Sequence, residues 1–308
     1  MEIELSAFYS RLGSIFLILA LGFILGKVGA INKDTNKHLV NMLLFVFMPA
    51  SLLMAFPTTF DQSSADLFFS GIIAGVLVMI LLVLLSKLIF NKKFFKDELR
   101  REAQFGLIFN NATFLGYPIA SSTFGSRGII AYCGFIIIFN IALFSYGVYL
   151  FKKKFTWRML LDTIINPNIL AVLIGMILFL TSFKLPDFMS GAIGYVGSAT
   201  TPLSILCIGF MLSEANFRKI LRKWKLVIPA AIQLLLGPVV TFFSLKVLNL
   251  PNEVIFVCTL IQALPTATSL GLFATEYGGN EVEASELVAI STLLSLGTMP
   301  LMVGILLR

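Results

Sequence analysis

Runs of about 20 apolar residues recur along this chain from end to end, each long enough to cross roughly 30 Å of hydrocarbon as a helix. Ten such runs lie at roughly 8–27, 38–57, 66–90, 102–124, 128–151, 160–181, 188–212, 224–246, 253–277 and 284–307. The connections between them reach only about ten to fifteen residues, which leaves no room for a soluble domain. Only 13% of the residues are charged, against about a quarter in ordinary soluble domains. The expected fold class is therefore an all-α integral membrane protein with ten transmembrane helices.

The formal net charge of +7 could suggest nucleic acid, but its distribution points elsewhere. With ten spans, 18 of the 23 basic residues fall on one face, in loops bounded by Lys27–Lys37, Lys87–Arg101, Lys152–Arg158 and Arg218–Lys225. The other face keeps Arg11, Arg127, Lys184, Lys246 and Arg308. Cytoplasmic loops carry the excess of Lys and Arg, so both termini are expected outside a cell membrane, with lipid as the surrounding partner and no nucleic acid. An even span count leaves five spans per half, and two halves with an odd number of spans must insert in opposite senses. The expected organisation is two inverted repeats, 1–154 and 155–308.

Internal similarity points the same way. Ala112-Thr113-Phe114-Leu115-Gly116 and Ala267-Thr268-Ser269-Leu270-Gly271 share four of five residues at an offset of 155. A shift of 153 pairs Pro49 with Pro202, and Phe124-Gly125 with Tyr277-Gly278. Each near-repeat follows a helix-weakening pair inside an apolar run, Asn110-Asn111 in span four and Pro265-Thr266 in span nine. Proline lacks the N–H and clashes with the preceding turn, so a break at Pro265 is expected directly. Asparagine only offers the backbone competing side-chain bonds, so the break at Asn110-Asn111 follows from symmetry alone. Interrupted helices at matching places in two halves point to a transporter's binding site. Each second half-helix would present free N–H groups and a positive dipole end, which suits a carboxylate. The plainer alternative is a pair of structural kinks, since proline is common in membrane helices. Candidate substrate-binding residues are Asn110, Asn111, Thr113, Asn140, Gln262, Pro265, Thr266 and Thr268.

The stretch Asn111-Ala112-Thr113-Phe114-Leu115-Gly116-Tyr117-Pro118 resembles the fourth-helix motif of the auxin efflux carrier family, and Gln262-Ala263-Leu264-Pro265 through Glu276-Tyr277-Gly278 resembles its ninth-helix motif. With the span count, the resemblance covers essentially the whole chain. It implies a carrier of organic anions: auxin for the plant PIN proteins, malate or related carboxylates for bacterial relatives. It further implies a scaffold of spans 1, 2, 6 and 7 beside a mobile unit of spans 3–5 and 8–10. Two features depart from the plant pattern: Asn110 stands where plant members place a proline, and the central loop is very short.

The remaining polar groups carry weaker signals. Gln233, Thr200, Thr201, Ser204, Thr292, Ser295 and Thr298 could line a cavity, but membrane Ser and Thr mostly bond within their own helix or tighten packing. No Lys, Arg, Asp or Glu falls near the middle of a span, so tight proton or sodium coupling has no obvious carrier. An exported anion gains about 2.3 kcal/mol per charge per 100 mV, so export needs no further coupling. His38, the one histidine, sits at a loop–helix boundary, and no catalytic motif accompanies it. Cys133, Cys207 and Cys258 read as small packing residues, and the chain calls for no cofactor or metal. The leading expectation is a secondary carrier of small mono- or dicarboxylates by alternating access, of the elevator type. A sodium- or proton-coupled symporter of the bile-acid type, and a channel or sensor, remain the alternatives. A homodimer stays open.

Overall fold

The computed structural model describes residues 5–56, 59–93, 95, 97–152, 165–214 and 223–306. The boundary between the two expected repeats, at 154/155, lies outside the described residues, as do the basic residues Lys96, Lys153, Lys154, Arg158, Arg218, Lys219, Arg222 and Arg308.

Every named element is helical. They are α1 (Leu5–Lys27), α2 (Lys33–Leu53), α3 (Gln62–Ile89), α4 (Asp97–Ile108), α5 (Ala112–Lys152), α6 (Pro167–Thr181), α7 (Asp187–Glu214), α8 (Trp224–Val247), α9 (Asn252–Gln262), α10 (Ser269–Tyr277) and α11 (Glu281–Leu306). Among the described residues, seven are long and apolar enough to cross a membrane: most of α1, then α2, α3, α5, α7, α8 and α11. The sequence leads one to expect ten, and the difference has a local physical cause. The expected fourth and ninth spans are interrupted, so α4, α9 and α10 are each too short to qualify alone, and of the expected sixth span the described helix α6 has only 15 residues. The expected fifth span runs on from the second piece of the fourth as one 41-residue stretch. That stretch is not straight. At Gly125 the backbone takes φ +59° and ψ −147°, a conformation open only to glycine, and it divides α5 into arms 112–124 and 126–152.

Packing sorts the helices into two groups. In the first, α1 lies along the Thr200–Glu214 part of α7, while the Met48–Leu53 end of α2 contacts α6 and the Asp187–Ser198 part of α7. A side-chain carbon on Gly22 would collide with the Leu206 backbone, and one on Gly209 with the backbone of Leu19 and Gly22. The helix pair is thus closed backbone to backbone, as small residues permit in a membrane. In the second group α3 runs against α5, with Gly71 and Gly134 making the same kind of contact. There α8 holds α4, α9 and α11, and α10 packs on α11.

The second group is also cross-linked at both ends. Arg127 donates to Glu253 at 2.9 Å and to Ser63 at 2.8 Å, which joins the starts of α3 and α9 to α5. At the opposite end the buried Glu102 of α4 accepts from the Asn280 N–H at 3.0 Å, and Lys223 pairs with Glu286 at 2.5 Å. Between the groups contact is lighter: α7 meets Ala112–Gly116, and Arg11 donates to the Thr123 carbonyl at 2.8 Å. The three cysteines are buried, free and far apart in the chain.

Candidate binding site at the paired helix breaks

The chain stops being helical at 109–111 and at 263–268, and the two interruptions meet. Asn110 and Thr266 form an isolated antiparallel bridge. The Asn111 N–H donates to the Pro265 carbonyl at 2.7 Å and the Ala267 N–H to the Phe109 carbonyl at 2.9 Å. Backbone groups freed by the interruptions thus satisfy each other across the crossing, which a water-poor interior demands.

Side chains account for most of the remainder. Pro265 brings no N–H, and the Thr266 N–H, which would otherwise reach back along α9, donates to Ser291 Oγ of α11 at 3.1 Å. That leaves the Gln262 and Leu264 carbonyls, and Asn110 Nδ2 donates to both, at 3.1 and 3.0 Å. Gln233 of α8 donates to the Leu264 carbonyl at 3.2 Å and accepts from Thr266 Oγ1 at 2.6 Å. Asn110, Gln233, Gln262 and Thr266 are all buried. Asn111 opens the second half of the interrupted run: its Oδ1 accepts from the Phe114 N–H at 3.2 Å, the N-cap geometry expected of asparagine. The Tyr132 hydroxyl donates to the Ala112 carbonyl at 3.1 Å and steadies the same turn.

The candidates from the sequence therefore separate. Asn110, Asn111, Pro265, Thr266 and Gln262 are brought together at the crossing. Thr113 and Thr268, part-buried, sit on the opening turn of α5 and just before α10. Asn140 stands apart: its amide donates to the Ile136 carbonyl of its own helix at 2.8 Å. Ser204, Thr292 and Ser295 likewise bond carbonyls of their own helices. Sequence reasoning missed Ser291 and Tyr132. A serine in a helix is an ordinary packing residue, and nothing in its spacing announces a bond to a distant N–H.

Two cavities flank the crossing between the helix groups. One, of about 330 Å³, lies at the Gly125 end among Ser51, Tyr117, Ser121, Ser126 and Thr201, hydroxyls without a charge. The other, of about 320 Å³, lies at the Lys33 end and reaches Phe114 and Thr268, at the openings of both second half-helices. The N–H groups in the first turn of a helix lack acceptors within that helix. At these openings the Ala112 and Phe114 N–H groups already donate to the Asn110 carbonyl and Asn111 Oδ1, and the Leu270 N–H to the Ala267 carbonyl, so what the second cavity brings together is two positive dipole ends and lysine.

The family model described as membrane transport protein matches residues 7–303. An uncharacterized transporter of Methanocaldococcus jannaschii is 25% identical over 273 residues, 85% of this chain and 87% of its own. An uncharacterized transporter of Methanothermobacter thermautotrophicus is 25% identical over 299 residues, 94% of this chain and 95% of its own. A Rhizobium meliloti protein named "putative malonate transporter" is 30% identical over 135 residues, 43% of this chain and 41% of its own.

Proposed function

As this chain belongs to the membrane transport protein family, the auxin efflux carriers its motifs resemble, we propose that it moves small organic anions across the cell membrane by alternating access. The anion sits where the interrupted helices cross, with a carboxylate at the positive dipole ends that open α5 and α10. The observation that carries this reading is the Asn110–Thr266 bridge, which binds the two breaks into one place. A matched pair of kinks serving structure alone would not require a cavity that opens on both half-helices.

In this reading α4 with the 112–124 arm, and α9 with α10, are single interrupted crossings, and the chain makes ten. The packing supports two inverted repeats: α1 on α7 mirrors α6 on α2, α3 on α5 mirrors α8 on α11, and α8 on α4 mirrors α3 on α9. The α1, α2, α6 and α7 group is the scaffold, and the cross-linked second group slides against it. The excess of basic residues at the Lys33 end puts that end in the cytoplasm and both termini outside. A cysteine replacing the exposed Lys92 should then react with an impermeant maleimide only after permeabilisation; labelling of intact cells would reverse the orientation.

Substrates of three or four carbons fit a 320 Å³ cavity, and one relative's name concerns malonate. The decisive experiment is malate and malonate counterflow in liposomes holding the purified protein, with and without sodium and proton gradients. Saturable exchange without a gradient is expected; no flux of either would remove carboxylates as substrates. A coupled symporter draws support from Asn110 Oδ1, Gln262 Oε1 and Thr259 Oγ1, buried oxygens without a partner. Oxygen sets of this kind suit a hard cation, and exchange only under a sodium gradient would favour that reading.

A further inference from the structure

Among the described residues, Glu102 of α4 is the only charged side chain that is buried. One of its oxygens accepts from the Asn280 N–H at 3.0 Å, while the other, Oε2, has no hydrogen-bond partner. A buried carboxylate holds its charge through several donors, and half of this one has none. A proton on Oε2 removes the buried charge.

Two charged groups act on Glu102, and they oppose each other: Arg101 beside it on α4 favours the carboxylate, and Glu283 of α11 repels it. The charges on the other elements packed against α4 are engaged elsewhere. Lys223, at the start of α8, pairs with Glu286 of α11 at 2.5 Å. Lys87 of α3 lies over the Tyr146 ring, and Lys152 of α5 over the Tyr277 ring of α10. Glu276 and Glu281 are exposed. Asn280 and Glu283 are part-exposed, so protons reach the site from the face that the basic residues crowd.

The carboxylate also holds something in place. Arg101 donates to the Gly278 carbonyl at 3.3 Å and Glu102 accepts from Asn280, so successive residues of α4 grip the loop on both sides of Gly279. That loop closes α10, with Gly278 at the left-handed φ of +82° that ends the helix. It also opens α11, where Asn280 Oδ1 accepts from the Glu283 N–H at 3.2 Å. The nine residues of α10 make a rod of about 14 Å, and its other end follows Thr268, which lines the cavity at the Lys33 end. A shift at the gripped end of so short a helix is felt at its opening. Charge-assisted hydrogen bonds are roughly twice as strong as neutral ones, so a proton on Glu102 weakens the grip.

We infer that Glu102 is a proton-binding site at the basic, cytoplasmic end of the protein, and that its proton regulates transport. The carboxylate holds the loop after α10 and keeps the anion site set; the carboxylic acid lets it slacken. This transport consequence rests on the reading that α10 opens on the anion site, whereas the proton site itself does not.

Two measurements on the purified full chain test the inference, each comparing the wild type with Glu102→Gln. Glutamine keeps the volume and an acceptor for the Asn280 N–H, but takes up no proton. The infrared C=O stretch of a protonated carboxyl reads the proton directly. The difference between wild type and variant should contain one such band that grows as the pH falls from about 8 to 5. An absent band, or one unchanged across that range, overturns the proton site. Malonate counterflow in liposomes, with equal pH inside and out, reads the regulation, because protonation of malonate itself affects both proteins alike. Over the same range the wild type should lose about fivefold more flux than Glu102→Gln, the scale of turning one charge-assisted hydrogen bond into a neutral one. Parallel pH profiles overturn the regulatory role. No flux by the wild type at any pH overturns the carrier reading instead, and the infrared band then decides the proton site alone.

Discussion

The two helix breaks meet at one bridge, yet they are made from opposite chemistry. At 263–268 the interruption is written into the backbone, because Pro265 cannot donate and cannot sit quietly inside a helix. At 109–111 no residue forbids a helix. There the break rests on what two amides do once the chain is folded: Asn110 Nδ2 covers the Gln262 and Leu264 carbonyls of the other break, and Asn111 caps the helix that follows. One break creates unmet hydrogen bonds and the other supplies the groups that meet them. The lesson is that symmetry of shape need not mean symmetry of cause. A near-repeat can keep one geometry while one copy is broken by proline and the other by amide side chains.

This division of labour can be broken from the amide side first. Asn110→Leu removes both donors at once. Gln233 still serves the Leu264 carbonyl, so the Gln262 carbonyl bears the loss. The expected destabilisation is roughly 2–4 kcal/mol, the cost of a buried group left unmet together with the lost bonds. Thermal unfolding of the detergent-purified protein would show it, and an unshifted midpoint would mean that the amide is not what holds the crossing. Thr266→Val comes next. It removes the 2.6 Å bond to Gln233 and leaves the buried Gln233 Oε1 without a donor, for about 1–2 kcal/mol by the same measurement.

Asn111→Ala should cost less stability than either, about 1 kcal/mol for a lost N-cap, yet reduce carboxylate counterflow by about tenfold or more. The replacement loosens the first turn of α5, whose Phe114 lines the cavity, and spares the bonds that join the two breaks. If flux instead falls only in step with stability, Asn111 belongs to the frame and not to the binding surface. That split between folding and transport is the sharpest way to tell the roles of the neighbouring asparagines apart.

How much of this could be read beforehand follows from which bonds are local. The apolar character of the helices and the break at Pro265 are local facts, and the break appears in the structure where the sequence puts it. Gly125 marks the turn within α5 for the same reason, since its φ of +59° with ψ −147° is a glycine conformation. The roles of Asn110 and Ser291 were not legible in this way. Their partners lie 152 and 25 residues away, and no periodicity encodes a carbonyl that becomes needy only after another helix breaks. Asn140 misled for the complementary reason. A buried asparagine looks costly on paper, but a bond four residues back along its own helix settles its amide.

The smallest effect is expected at the residue that announced the site. Pro265→Ala restores an N–H, and an isolated helix would use it to close the gap. Here the carbonyl that would receive it, Ile261 O, already accepts from the Leu264 N–H at 3.1 Å. Closing the helix would also pull the Pro265 carbonyl from Asn111 and the Gln262 and Leu264 carbonyls from Asn110. The break should therefore persist. The main change is the freer unfolded chain, worth about 0.4–1 kcal/mol when a proline that fits its native backbone is removed. Counterflow should stay within about threefold of the wild type, since the first-turn N–H groups keep their places. A gain of several kcal/mol with loss of flux would show the opposite, a helix that closes once allowed to. Proline would then be the sole cause of the break, and the amides of 110 and 111 would only be fitted around it. A small shift with retained flux would leave the amides as the groups that hold the crossing, and make the proline a feature that the folded protein tolerates more than it needs.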